Sequence, residues 1–199
     1  MSFFFRNFAS SNDIHMKIFL LSILQSLFAL LGQKTMSTNF TITVQENAAQ
    51  PVSYTGKLDM HGEQFMLEAF GTLASFDGTT LYMYNQDANE LTLSTPTRDE
   101  LYQANPLLFA KAMAEACEVT EQTSGNITTL TFLPKERVAI DRITMKVKYV
   151  AKTEEYIPTL ITLKEGLRTT TVHFRNLRYS DELNDYVLKP NGAYINDVR

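Results

Sequence analysis

Apolar and polar side chains alternate along much of this chain. Phe40, Ile42 and Val44 interleave with Thr41, Thr43 and Gln45, and Ile143, Met145, Val147 and Tyr149 with Arg142, Thr144, Lys146 and Lys148. Shorter runs follow the same rule at Leu91 and Leu93, Leu130 and Phe132, and Val172 and Phe174. Phe65 and Leu67 follow it more weakly, because Met66 between them is apolar. A period of two puts one set of side chains on a buried face and the other in water. Such strands build antiparallel sheets with one wet face. Turn chemistry separates the runs at Asp77-Gly78, Asp87-Ala88-Asn89, Ser124-Gly125-Asn126 and Lys164-Glu165-Gly166. Strands spaced this closely are hairpins of a meander, with no room for crossover helices.

One stretch changes period. Asn105-Pro106 offers an N-cap with proline at the first helical position, and residues 107–117 are rich in helix formers. Phe109, Met113 and Cys117 recur every four residues, with Ala110 beside them, so one helix face is apolar. Residues 98–104 read as a separate preceding turn. A large sheet must curl, because strand twist accumulates, and one helix cannot cover its whole apolar face. Two outcomes stay open: a filled, closed barrel, or a partly open sheet with an apolar hollow under the helix.

Before the first strand, residues 18–31 read IFLLSILQSLFALL, without a charge. The stretch is short of the roughly 20 residues that a membrane span needs and matches the apolar region of a signal peptide. Lys17 precedes it, and Gly32 is small enough to stand before a cleavage site. Residues 1–32 are therefore expected to be a signal peptide, with 1–15 a misassigned upstream extension, and 33–199 a single domain. The competing expectation is an N-terminal helix kept as an anchor or buried in the fold.

Composition narrows the functions. With 44% hydrophobic residues and 20% charged, the 199-residue chain can form a core and is not of the disordered class. A net charge of −4 excludes a dedicated nucleic-acid binder, which needs clustered Lys and Arg. Removal of residues 1–32 makes the remainder slightly more acidic. Cys117 is the single cysteine, so it closes no internal disulfide; on an apolar helix face it reads as a small core residue. His15, His61 and His173 are far apart, with His61 expected at the surface in a hairpin turn. Asp99-Glu100, Glu154-Glu155 and Asp181-Glu182 read as solvated charge. No nucleophile elbow, phosphate loop, dinucleotide fingerprint or zinc-protease motif is present. Nothing in the chain points to an enzyme, a metal or a cofactor.

Three segments, in order, carry a resemblance: residues 76–85 (FDGTTLYMYN), 105–110 (NPLLFA) and 189–199 (KPNGAYINDVR). They are similar to the D-G-x-x-[LM]-[WY]-x-Y hairpin, the helix opening and the closing P-x-G-x-x-[VI]-x-D-x-R of the outer-membrane lipoprotein carrier (LolA-like) family. Leu133-Pro134-Lys135 and Asn39-Phe40-Thr41 fit the same order, so the likeness runs from about Asn39 to Arg199. The resemblance implies a mainly β (α+β) fold: a strongly curved, unclosed antiparallel β-barrel with helix covering the concave side. It also implies a monomeric periplasmic carrier, without cofactor. Such a carrier takes acylated lipoproteins from an ATP-driven inner-membrane complex to an outer-membrane acceptor.

Two departures stand out. The family has an amphipathic helix between cleavage site and first strand, whereas here only residues 33–38 intervene. The lid is therefore reduced, or residues before Gln33 supply it. The Arg that follows the family's G-x-L is also missing after Gly56-Lys57-Leu58, where Asp59-Met60-His61-Gly62 stands.

Burial of an acyl chain is worth about 0.8 kcal/mol per CH₂, so a closely fitted pocket would never release its cargo. A carrier needs loose complementarity, which flexible Met and aromatic side chains supply; the chain has eight Met, thirteen Phe and no Trp. The expected acyl-chain cavity is lined by Phe40, Ile42, Phe65, Leu67, Met83, Leu108, Phe109, Met113, Met145 and Val147. Ordinary core packing is the competing role for each. The alternative function is a periplasmic binding protein for another lipid or hydrophobic ligand.

Overall fold

The computed structural model describes residues 23–199. The first 22 residues of the expected leader lie outside the described residues. Residues 23–33 form helix α1, and strand β1 (Thr35–Glu46) follows after one residue. The next strands are β2 (Val52–His61), β3 (Gln64–Ala69), β4 (Thr72–Phe76), β5 (Leu81–Asn85) and β6 (Glu90–Ser94). Helices α2 (Arg98–Ala104) and α3 (Pro106–Ala116) interrupt them. Then come β7 (Cys117–Ser124), β8 (Ile127–Pro134), β9 (Arg142–Val150), β10 (Glu155–Glu165), β11 (Arg168–Ser180) and β12 (Tyr194–Asp197).

All twelve strands join one sheet in the order β12-β6-β5-β4-β3-β2-β1-β11-β10-β9-β8-β7. Its two edges do not meet, so the expected unclosed, curved architecture is the one observed. Two features depart from a plain meander. β1 pairs with β11, which joins the two hairpin series at the middle of the sheet. β12 pairs with β6 in parallel, making the sheet mixed. The strap of residues 181–193 makes that parallel pair possible by carrying the chain behind the sheet from β11 to the β6 edge.

The order of strands also places the helices. β6 and β7 lie toward opposite edges of the sheet, yet they are consecutive in sequence. Their connection must therefore span the concave side, and α2 and α3 are that connection. Thr97 and Glu100 form a reciprocal capping box that starts α2. Asn105 ends α2 and starts α3: its buried Oδ1 accepts hydrogen bonds from the amides of Leu107 (3.0 Å) and Leu108 (3.2 Å). The residues read as a preceding turn thus form a second helix, and α1 adds a third.

Register assigns the faces. Phe40 stands opposite Phe174, Ile42 opposite Val172, Ile161 opposite Met145, and Leu130 opposite Met145 on its other side. These positions point inward, and the main core lies on the concave face, where Phe65, Leu130, Phe132, Ile143, Met145 and Val147 are fully buried. Leu91 and Leu93 point the other way. With Tyr82 and Leu188 they form a smaller outer cluster under the strap. Ser75 fastens the strap by donating to the Tyr186 carbonyl at 2.6 Å, and Thr35 donates to the Glu182 carbonyl at 2.5 Å.

Candidate functional site: an apolar cavity under the helices

An open cavity of about 540 Å³ lies between the concave face and α2–α3. One wall comes from Phe40 and Ile42 of β1 with Leu67 and Ala69 of β3. The opposite wall comes from Ile161 and Leu163 of β10 with Val172 of β11, closed by Ile140. Tyr102 and Ala104 of α2 and Phe109 of α3 form the roof. The polar groups among the lining residues are the carboxylates of Asp99 and Glu165 and the hydroxyls of Thr170 and Tyr102. The volume falls within the roughly 300–1,000 Å³ of ligand pockets.

Four of the ten expected residues line this cavity: Phe40, Ile42, Leu67 and Phe109. Phe65, Met145 and Val147 are fully enclosed in the core, and Leu108 is buried under α1. Met113 is half-buried against the core. Met83 has the inward parity of β5 but lies near the sheet edge, 38% exposed, in a separate shallow depression with Thr72 and Glu90. Parity names a face; it does not say how far the helices reach across it. Val172 stood in one of the alternating runs; Ile161 and Leu163 were not singled out, although they alternate with Thr162 and Lys164. Tyr102 and Phe70 carried no such signal, since one sits on a short helix and the other in a tight turn.

Phe70 marks the cavity mouth. It occupies the β3–β4 turn with φ 56°, followed by Gly71 at φ 69°. Left-handed backbone at both turn positions ordinarily selects Asn-Gly, and a bulky side chain there is strained. The ring is 60% exposed and packs on Tyr54 with centroids 4.6 Å apart. Leu167, in the β10–β11 turn at the same end, is also exposed, and its carbonyl accepts from the Asn47 amide at 2.8 Å. The mouth is thus fringed by apolar side chains. Inside, Gly56 lets Phe40 lie against the sheet: a Cβ there would sit 2.4 Å from the Phe40 Cζ and from the Glu68 carbonyl.

The inner end of the trough is filled by α1. Ile23, Leu24, Leu27 and Leu31 are buried in the concave core. Phe28 and Leu31 face Met60, Leu107 and Leu108, and the Leu31 carbonyl accepts from the Gly62 amide at 2.7 Å. Residues before Gln33 thus supply the N-terminal helix that their spacing to β1 left in question. His61, expected at the surface, is half-buried with an unpartnered Nδ1. Burial pushes the Cys117 thiol pKa up, against the opposing charge of Lys135. Among the described residues no group of three His, Cys, Asp or Glu side chains could hold a metal ion. No helix among them is long and apolar enough to cross a membrane.

No family model and no curated protein matches this chain. Solved structures do. An uncharacterized conserved protein from Thermus thermophilus superposes with TM-score 0.59 at 9% identity, covering 89% of this chain and 98% of that one. A LolA superfamily protein from Nitrosomonas europaea gives TM-score 0.44 at 10% identity, over 79% and 92% of the two chains. The Mycobacterium tuberculosis lipoprotein LppX gives 0.44 at 12%, over 86% and 99%. The first of these likenesses establishes a shared fold.

Proposed function

We propose that this protein is an exported carrier that shields the acyl chains of lipoproteins in the concave cavity as they cross from inner to outer membrane. The observation that carries this reading is the cavity itself. Its walls and roof are mostly apolar, and its few polar groups, two carboxylates and two hydroxyls, are suited to no shared reaction. The ordered motif resemblance to lipoprotein carriers supports the same role. An ATP-driven releasing complex and an outer-membrane acceptor belong to this proposal as the partners that would load and unload it.

The expected leader fits this reading. Cleavage after Gly32 would withdraw α1 and, with it, Ile23, Leu24, Leu27 and Leu31. Met60, Leu107 and Leu108 would then line an extension of the trough. In the precursor, the apolar stripe of α1 occupies the space that an acyl chain would take in the processed protein.

The test is uptake of a fluorescent fatty acid by the processed chain, with Leu163→Trp as a variant that fills the cavity. Saturable uptake, weakened at least tenfold in Leu163→Trp without loss of fold, is expected. Failure of the processed chain to take up any acyl probe would reject the reading. A co-purified lipid without a protein moiety would favour the alternative, a carrier of free lipids.

A further inference from the structure

We infer that the outer face of β9–β11 is a docking surface for an anionic phospholipid bilayer. Charge is sharply segregated in this acidic chain. Residues 59–100 carry eight carboxylates against the single guanidinium of Arg98. On the other half of the sheet, the outward positions of β9, β10 and β11 carry Arg142, Lys146, Lys148, Lys164, Arg175 and Arg178, all exposed. None of these six is within ion-pair distance of a carboxylate among the described residues. The flanking strands β8 and β1 add no outward carboxylate. Glu155, the outward carboxylate at the end of β10, is paired with Lys34 at 3.6 Å.

The register gives the face its pattern. Arg142 stands directly opposite Lys164. The next row inward is made of hydroxyls: Thr131, Thr144, Thr162, Thr171 and Thr43 align across five adjacent strands. Lys146, Lys148 and Arg175 lie beyond that row. Cations flank a row of hydroxyl donors, and both can bond phosphate oxygens.

A protein partner is the poorer fit. Protein interfaces are anchored by a few buried aromatic side chains, and the aromatic residues of these three strands point inward: Phe174 opposite Phe40, and Tyr149 opposite Tyr156. A bilayer needs no such anchor, because each Lys or Arg near an anionic surface contributes by itself. This face is also opposite the helices, so docking would leave the cavity mouth clear.

The experiment is co-sedimentation of the purified protein, without cargo, with vesicles of phosphatidylcholine alone or with about 30% phosphatidylglycerol. Binding to the anionic vesicles, lost in about 0.5 M NaCl where screening is nearly complete, is expected. Lys146→Glu/Lys148→Glu/Arg175→Glu should lower it at least tenfold. Arg137→Glu/Lys189→Glu, which removes the same kind of charge elsewhere, should leave it within twofold. Circular dichroism checks that both variants fold. Equal binding to neutral vesicles, no binding at low salt, or binding indifferent to the triple substitution would each overturn the proposal. So would capture of an acidic protein by this face with the vesicles left bare. The cavity reading survives any of these, since acyl uptake is measured without vesicles.

Discussion

Phe70 separates stability from function at a single residue. Its backbone belongs to a turn that Asn tolerates well, while its ring belongs to the cavity mouth. Phe70→Asn should raise stability by about 1 kcal/mol through relief of strain and weaken acyl uptake; thermal melting and fatty-acid titration read the two effects. A fall in stability would mean that the stacking on Tyr54 outweighs the strain. Tyr186, in the strap, makes a second case. Burial, and then the negative charge of Asp59, push its phenol pKa up to about 12 from the ordinary 10.0, against the opposing effect of the Thr35 hydroxyl, and its buried hydroxyl has no partner in good hydrogen-bond geometry. A raised folded-state pKa leaves stability intact below pH 10 and removes it as pH climbs toward 12, because the unfolded phenol ionises first. Tyr186→Phe should therefore be neutral to stabilising at pH 7 and should flatten the alkaline loss in denaturant titrations. Neither residue was legible in the sequence as special: a strained turn and an orphaned hydroxyl exist only once the chain is folded.

At the scale of elements, sequence periodicity was a good guide wherever one face of a strand meets the core. The run Ile143, Met145 and Val147 is buried as its alternation requires. It misled where a second layer covers the other face, because Leu91 alternates equally well yet packs outward beneath the strap. Helix α2 was legible only as a turn because seven residues hold too little periodicity to register as a helix, although its capping box was written in Thr97 and Glu100. The joint between α2 and α3 rests on Asn105. Its side chain satisfies two buried amides and reaches the Met60 sulfur at 3.9 Å. Asn105→Ala should cost about 1–3 kcal/mol, the loss of a cap plus unpartnered buried donors. Chemical denaturation measures that cost, and hydrogen exchange should show the roof helices opening first.

For the whole molecule, the decisive fact is topological. Consecutive strands β6 and β7 lie toward opposite ends of a sheet that never closes, so the chain between them is forced across the hollow. Period-two patterning could not choose between a filled barrel and a roofed trough, because both bury the same face; the choice is made where the edge strands β12 and β7 fail to pair with each other. The most direct test adds the processed protein to spheroplasts that retain newly made lipoproteins and assays the medium for acylated protein bound to it. Soluble complexes are expected, and they should vanish when the cargo's lipid-modified cysteine is replaced. A folded protein that takes up fatty acid yet releases no lipoprotein would contradict the carrier account.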